Sequence, residues 1–231
     1  MRRTLTALAA VAALSAWMPS QAVVVYTEAS PGLTTTPNAG GGCCDGTGVW
    51  FNPLTGYAEN RGFFFPDPLY EDGKFFLLTD TSFGSPEAQV YVQGFFSRGN
   101  GVVYASAANL NPAYFGEGAS IGPGVGYQVP GAGFPDLGPT FGNWSPGRGF
   151  LGLMLRDPGG SDAGDIFYGF ADITLHADYS ITLNAFAYES ERGQAITTSF
   201  SAPVPEPGAA WLLGAGLAGL AGWRRRTRRR A

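Results

Sequence analysis

Between residues 23 and 203 no stretch of the chain sustains an apolar period of 3.6 residues, and this constrains the fold more than any other feature. Short runs of Val, Ile, Phe and Tyr are instead punctuated by Gly, Pro, Asn and Asp, with 35 Gly and 17 Pro in 231 residues. That pattern predicts an all-β body, read as a single antiparallel β-sandwich with jelly-roll-like connectivity. Residues 23–203 are long enough for one domain with its own core and do not call for two. Strands are expected at 23–27, 50–51, 63–65, 74–79, 88–97, 102–107, 149–155, 166–175 and 181–188, with turns at 98–101 and 176–180. Residues 31–48 and 119–144, rich in Gly and Pro, read mainly as loops. The last hairpin is the clearest: Ala171, Ile173 and Leu175 share one face, and Ile181, Leu183, Ala185 and Ala187 share one face of its partner. No internal repeat of propeller or solenoid length is visible.

Both ends of the chain have a different character. Residues 208–223 form an apolar run of 16, about 24 Å long as a helix at ~1.5 Å per residue, slightly short of a ~30 Å hydrocarbon core. Arg224, Arg225, Arg226, Arg228, Arg229 and Arg230 follow as a basic stop that stays in the cytoplasm by the positive-inside rule. The run therefore reads as one C-terminal transmembrane helix, with the body on the outer side. Arg2 and Arg3, the apolar residues 5–17 and Ser20-Gln21-Ala22 make up a secretory signal peptide over residues 1–22, cut after Ala22.

Val204, Pro205, Glu206 and Pro207 precede the apolar run. This order of box, short span and arginine cluster resembles the PEP-CTERM sorting signal of Gram-negative exported proteins, and the resemblance covers residues 204–231. It implies that residues 204–207 are the recognition box of an exosortase-type membrane enzyme. It also implies that the tail holds the protein at the inner membrane before processing, and that the mature protein goes to the cell surface or the extracellular, biofilm-type matrix. Further fragments resemble a terminal module recurrent in such proteins: Gly149-Phe150-Leu151-Gly152-Leu153, Tyr168-Gly169-Phe170-Ala171-Asp172-Ile173, Ala187-Tyr188-Glu189 and Gly193-Gln194-Ala195-Ile196. The module implies a sandwich and no catalytic residue.

Without its two ends the chain is acidic: residues 23–203 hold 17 carboxylates against six basic side chains, a net of −11. Nucleic acid is excluded as a partner, because phosphate binding needs clustered Lys and Arg. Exopolysaccharide and divalent cations remain open.

Catalytic chemistry finds little material here. His176 is the single histidine and lies in an expected turn beside Asp178, where an exposed turn residue is a better reading than a triad base. Gly122-Pro123-Gly124-Val125-Gly126 lacks the Lys-Ser/Thr pair of a phosphate loop. Asp157, Asp162 and Asp165 lie within nine residues and form the candidate Ca²⁺ loop; the alternative is a solvated hairpin whose Asp and Gly residues serve turn geometry. No other cofactor is expected. Cys43 and Cys44 are adjacent and the only cysteines, so they form a vicinal disulfide, pair between molecules or stay free; the expectation is a surface loop with an oxidised Cys43–Cys44 pair. The expectation for the body is a structural or adhesive, non-enzymatic role. The alternative is a carbohydrate-binding module that uses Trp50, Tyr57, Tyr114, Tyr127 and Trp144 as stacking surfaces, and a glycan-directed enzyme stands third.

Overall fold

The structure, a computed structural model, describes residues 23–36, 47–62, 75–80, 87–92, 100–106, 109–125, 127–128, 141, 144–156 and 166–202. The chain divides into two compact units, Met1–Phe200 and Ser201–Ala231, and every strand lies in the first. The described residues contain strands and no helix, hence no helix long and apolar enough to cross a membrane.

The longest strands are β1 (Val24–Thr34), β11 (Gly147–Arg156), β12 (Ile166–Leu175) and β13 (Ile181–Glu189). With β6 (Gly101–Ser106) and β10 (Tyr127–Gln128) they form a large sheet in the order β1-β13-β12-β11-β6-β10, to which β7 (Asn109–Pro112) and β8 (Tyr114–Phe115) add at β6 and β11. A second sheet has the order β3-β2-β4-β5, from β2 (Thr47–Asn52), β3 (Tyr57–Gly62), β4 (Phe75–Asp80) and β5 (Glu87–Val92). A short ladder pairs β9 (Ser120–Ile121) with β14 (Ile196–Thr197). All pairings are antiparallel.

Alternation puts every second residue of the central strands on one face. Leu151, Leu153 and Leu155 of β11, with Ala171, Ile173 and Leu175 of β12, share one buried apolar cluster with Val49, Phe51, Phe75, Leu77, Ala88 and Val90 of the small sheet. The intervening residues Phe150, Met154, Tyr168 and Phe170 form a second cluster on the opposite face, covered by Ile121 and Ile196. Trp50, Phe76 and Leu78 form a third, on the far side of the small sheet, where a Cβ at Gly48 would fall inside the Phe76 ring. A threonine latch ties the sheets together at one end. The Thr35 and Thr79 hydroxyls lie 2.6 Å apart, Thr35 Oγ1 accepts from Ile181 N at 2.9 Å, and Thr79 donates to Tyr179 O at 2.9 Å.

The structure departs from the sequence reading in several places. The four consecutive strands β2 to β5 all lie in the small sheet, so the chain does not weave between sheets as a jelly-roll-like path would; neighbours in sequence pair locally instead. β1 runs on to Thr34 across Pro31 and Gly32, because an edge strand tolerates a residue without an N–H. β3, polar along its length, is a strand because it pairs with the apolar β2 over six positions. The alternation expected for β13 also breaks. Asn184 is an extra residue between the pairs Asp172↔Ala185 and Ile173↔Leu183, and this bulge reverses the phase. Ile181, Leu183 and Phe186 consequently enter the inner cluster, while Ala187 joins the outer one. The strand expected at 63–65 lies outside the described residues.

Candidate functional site

The bulge that shifts β13 also lies where charged groups converge in the middle of the large sheet. Opposite Asn184, β1 bows outward: Glu28 pairs with Ala185 and Leu33 with Leu183, leaving four residues of β1 across from one. The bow opens a pocket of about 250 Å³, with walls that include Tyr26, Glu28, Ser30, Arg148, Asn184 and Phe200.

Behind two of these wall residues, Arg148 and Asn184, lies Asp172, fully buried on β12. Its oxygens accept from Arg148 Nε at 2.9 Å and Nη2 at 2.6 Å, the two-point geometry that makes arginine–carboxylate pairs strong. Asn184 Nδ2 donates to Asp172 Oδ1 at 3.1 Å and to Thr174 Oγ1 at 3.0 Å. The Arg148 side chain is 45 % exposed and lies 4.5 Å over the Phe200 ring, which also stacks on Phe150 at 4.6 Å. The hydrogen bond to Asp172 raises the Arg148 pKa, so the guanidinium stays charged. Tyr26 is pushed above its usual 10.0, first by burial and then by the negative charges of Asp172 and Glu28. From the neighbouring β8, the Tyr114 hydroxyl donates to Arg148 O at 3.2 Å, and its ring occupies the space a side chain at Gly149 would need.

Sequence reasoning did not bring Arg148, Asp172 and Asn184 together. A signal was present in Asp172, a carboxylate with apolar neighbours on both sides in a strand buried on both faces; such a group requires a partner. The aromatic candidates fare differently. Trp50 is buried in the third cluster with Tyr57 packed against it. Trp144 is buried, donates its indole N–H to Pro112 O at 2.9 Å and meets Tyr114 and Phe141 edge-on. These two tryptophans pack the body and offer no sugar platform, whereas Tyr114 is 55 % exposed. The backbone of Tyr127 pairs with β6; its side chain is outside the described residues. His176 and Asp178 do lie in an exposed turn. Asp178 accepts from Ser180 N and Oγ at 3.0 and 2.7 Å, bonds that lower its pKa, and His176 Nε2 lies 2.8 Å from Thr182 Oγ1.

Ala22, Cys43, Cys44, Asp157, Asp162, Asp165, the box Val204 to Pro207 and the six terminal arginines all lie outside the described residues. Among the described residues, no three His, Cys, Asp or Glu side chains gather as a metal site would need.

An antiparallel all-β body whose convergent polar site is an arginine–aspartate pair is thus followed by a C-terminal segment of separate character. A family model for the PEP-CTERM protein-sorting motif matches residues 203–226, and the chain is a PEP-CTERM domain-containing protein. The motif marks it as exported and sorted by an exosortase, with a membrane-anchoring C-terminal signal. No curated protein and no solved structure matches the chain.

Proposed function

We propose that this protein is a cell-surface or matrix component whose body, a β-sandwich, serves a structural or adhesive role without catalysis. In this reading residues 1–22 are removed after Ala22, and residues 208–223 hold the chain in the inner membrane with Arg224 to Arg230 in the cytoplasm. Glu206 is then the charged group presented to the exosortase between two prolines that keep the chain extended. For the body, the observation that supports the reading is how Asp172 is bonded. Both of its oxygens are held by the Arg148 guanidinium and the side chain is fully buried, so the carboxylate is out of reach of a substrate. Its chemistry is that of a fixed strut.

The test has two arms. In cells that carry the exosortase, the full chain is processed and reaches the surface or medium, while Glu206→Ala accumulates unprocessed in the membrane. Cells lacking the protein show weakened surface adhesion or matrix cohesion, restored by the wild-type chain. They are restored equally by Asp178→Asn, which removes a carboxylate from the His176 turn. Normal processing of Glu206→Ala overturns the sorting role, and failure of Asp178→Asn to restore adhesion overturns the non-catalytic one.

A further inference from the structure

We propose that the pocket between β1 and β13 binds a neutral, polyhydroxylated ligand, a single sugar unit of a glycan, through Arg148, Glu28, Tyr26 and Asn184. This deepens the adhesive reading above, and its test is read on the pocket's own groups, so it can fail while sorting stands.

Size comes first. A volume of about 250 Å³ lies below the roughly 300–1,000 Å³ of pockets for drug-sized ligands, which restricts the occupant to about one ring. The supply of hydrogen bonds comes next. Of the five guanidinium N–H groups of Arg148, two serve Asp172, and the remainder lie on a side chain 45 % exposed in the pocket wall. Asn184 uses its amide N–H groups on Asp172 and Thr174, which orients it and leaves its carbonyl oxygen as an acceptor. Glu28 is exposed, with two acceptor oxygens, and Tyr26 and Ser30 bring hydroxyls that both donate and accept.

The balance of charge then selects the ligand class. Arg148 and Asp172 neutralise one another, and Glu28 leaves the pocket with one negative charge, which disfavours carboxylates, sulfates and phosphates. The guanidinium in the same wall disfavours a cation. Donors and acceptors at close quarters match hydroxyl groups, each of which does both. The pocket is also preorganised. Arg148 is clamped between a fully buried carboxylate and the Phe200 ring, so little side-chain entropy is lost on binding.

The experiment uses the ¹⁵N-labelled full chain in a non-glycosidic detergent and follows the Arg148 Nε–H and Asn184 Nδ2–H signals. Maltose, cellobiose and lactose are titrated in turn, alongside galacturonate, glucosamine and glycine. The expected result is a saturable shift of both signals with at least one neutral disaccharide. Glu28→Ala should weaken that binding about tenfold, the loss expected for a hydrogen bond to a charged group, and Glu191→Ala should leave it unchanged. Glu28 and Glu191 are both exposed, so neither change threatens the fold. No saturable shift with any neutral sugar, tighter binding of galacturonate, glucosamine or glycine, or equal weakening by Glu191→Ala would each overturn the assignment.

Discussion

The large sheet is buried on both faces, by different means. Its inner face meets the small sheet across an apolar layer to which both sheets contribute, closed at one end by the threonine latch. Its outer face meets the short β9–β14 ladder and the segment ending at Phe200, and there a charged pair and an open pocket interrupt the apolar cluster. A sheet can cover a sheet strand by strand, so the inner face admits polar groups only where they bond to one another at one end, as Thr35 and Thr79 do. A narrow strap covers only a stripe, and beside it Arg148 reaches water while Asp172 does not. Stability therefore concentrates on the inner face, and chemistry on the outer one.

The largest effect that tests this contrast belongs to the inner face. Phe186 is fully buried and faces Phe51 at 5.6 Å, so Phe186→Ala should cost about 4 kcal/mol in denaturant unfolding. A loss under about 1 kcal/mol would mean that the two sheets are not one core. On the outer face, Arg148→Met strands a buried carboxylate and should cost about 3 kcal/mol, the lower end of the range for breaking a buried pair because Arg148 is itself partly exposed. Arg148→Met with Asp172→Leu should recover most of that, since it removes the orphaned charge. If the double variant is as unstable as the single one, the pair does more than neutralise itself.

Phe200→Ala comes next, at about 2 kcal/mol, less than for a fully buried ring because Phe200 is only partly covered. It should also speed hydrogen exchange at Ala119 and Thr198, whose N–H groups bond across the strap, while leaving Leu77 and Val90 protected.

The smallest effects are pH-dependent, and they separate the hairpin tip from the outer face. Asp178 has a lowered pKa because Ser180 donates to it, so its contribution is present above the usual 3.8 and is lost as pH falls through its folded value. Asp178→Asn should flatten that acid-side fall in Tm. Tyr26 has a raised pKa, so its contribution is complete below 10.0 and declines as pH rises through the folded value. Ultraviolet titration should show a late-ionising tyrosine, and Glu28→Gln should bring it earlier.

The inner layer was partly legible in the sequence, because the spacing of Ala171, Ile173 and Leu175 along β12 needs no knowledge of a partner. The phase change in β13 was not, since the inserted Asn184 is visible only once the register against Asp172 is known. β3 escaped notice because its polar residues become a strand only through pairing with Trp50 and Phe51. The site was half visible. Asp172 advertised the need for a partner, but Arg148 lies 24 positions away and reaches it only when β11 and β12 are aligned. The sorting motif was legible in full, because its recognition depends on linear order.

The strap has a further consequence, one of timing. Ile196, Thr198 and Phe200 close the outer cluster, and Phe200 precedes the start of the sorting motif by three positions. The chain is synthesised from its N-terminal end, so the cover for Phe150, Phe170 and Met154 is the last part of the body to be made. The outer cluster closes only when that cover joins it, and the body's final seal stands, in sequence, next to the signal that sorts it.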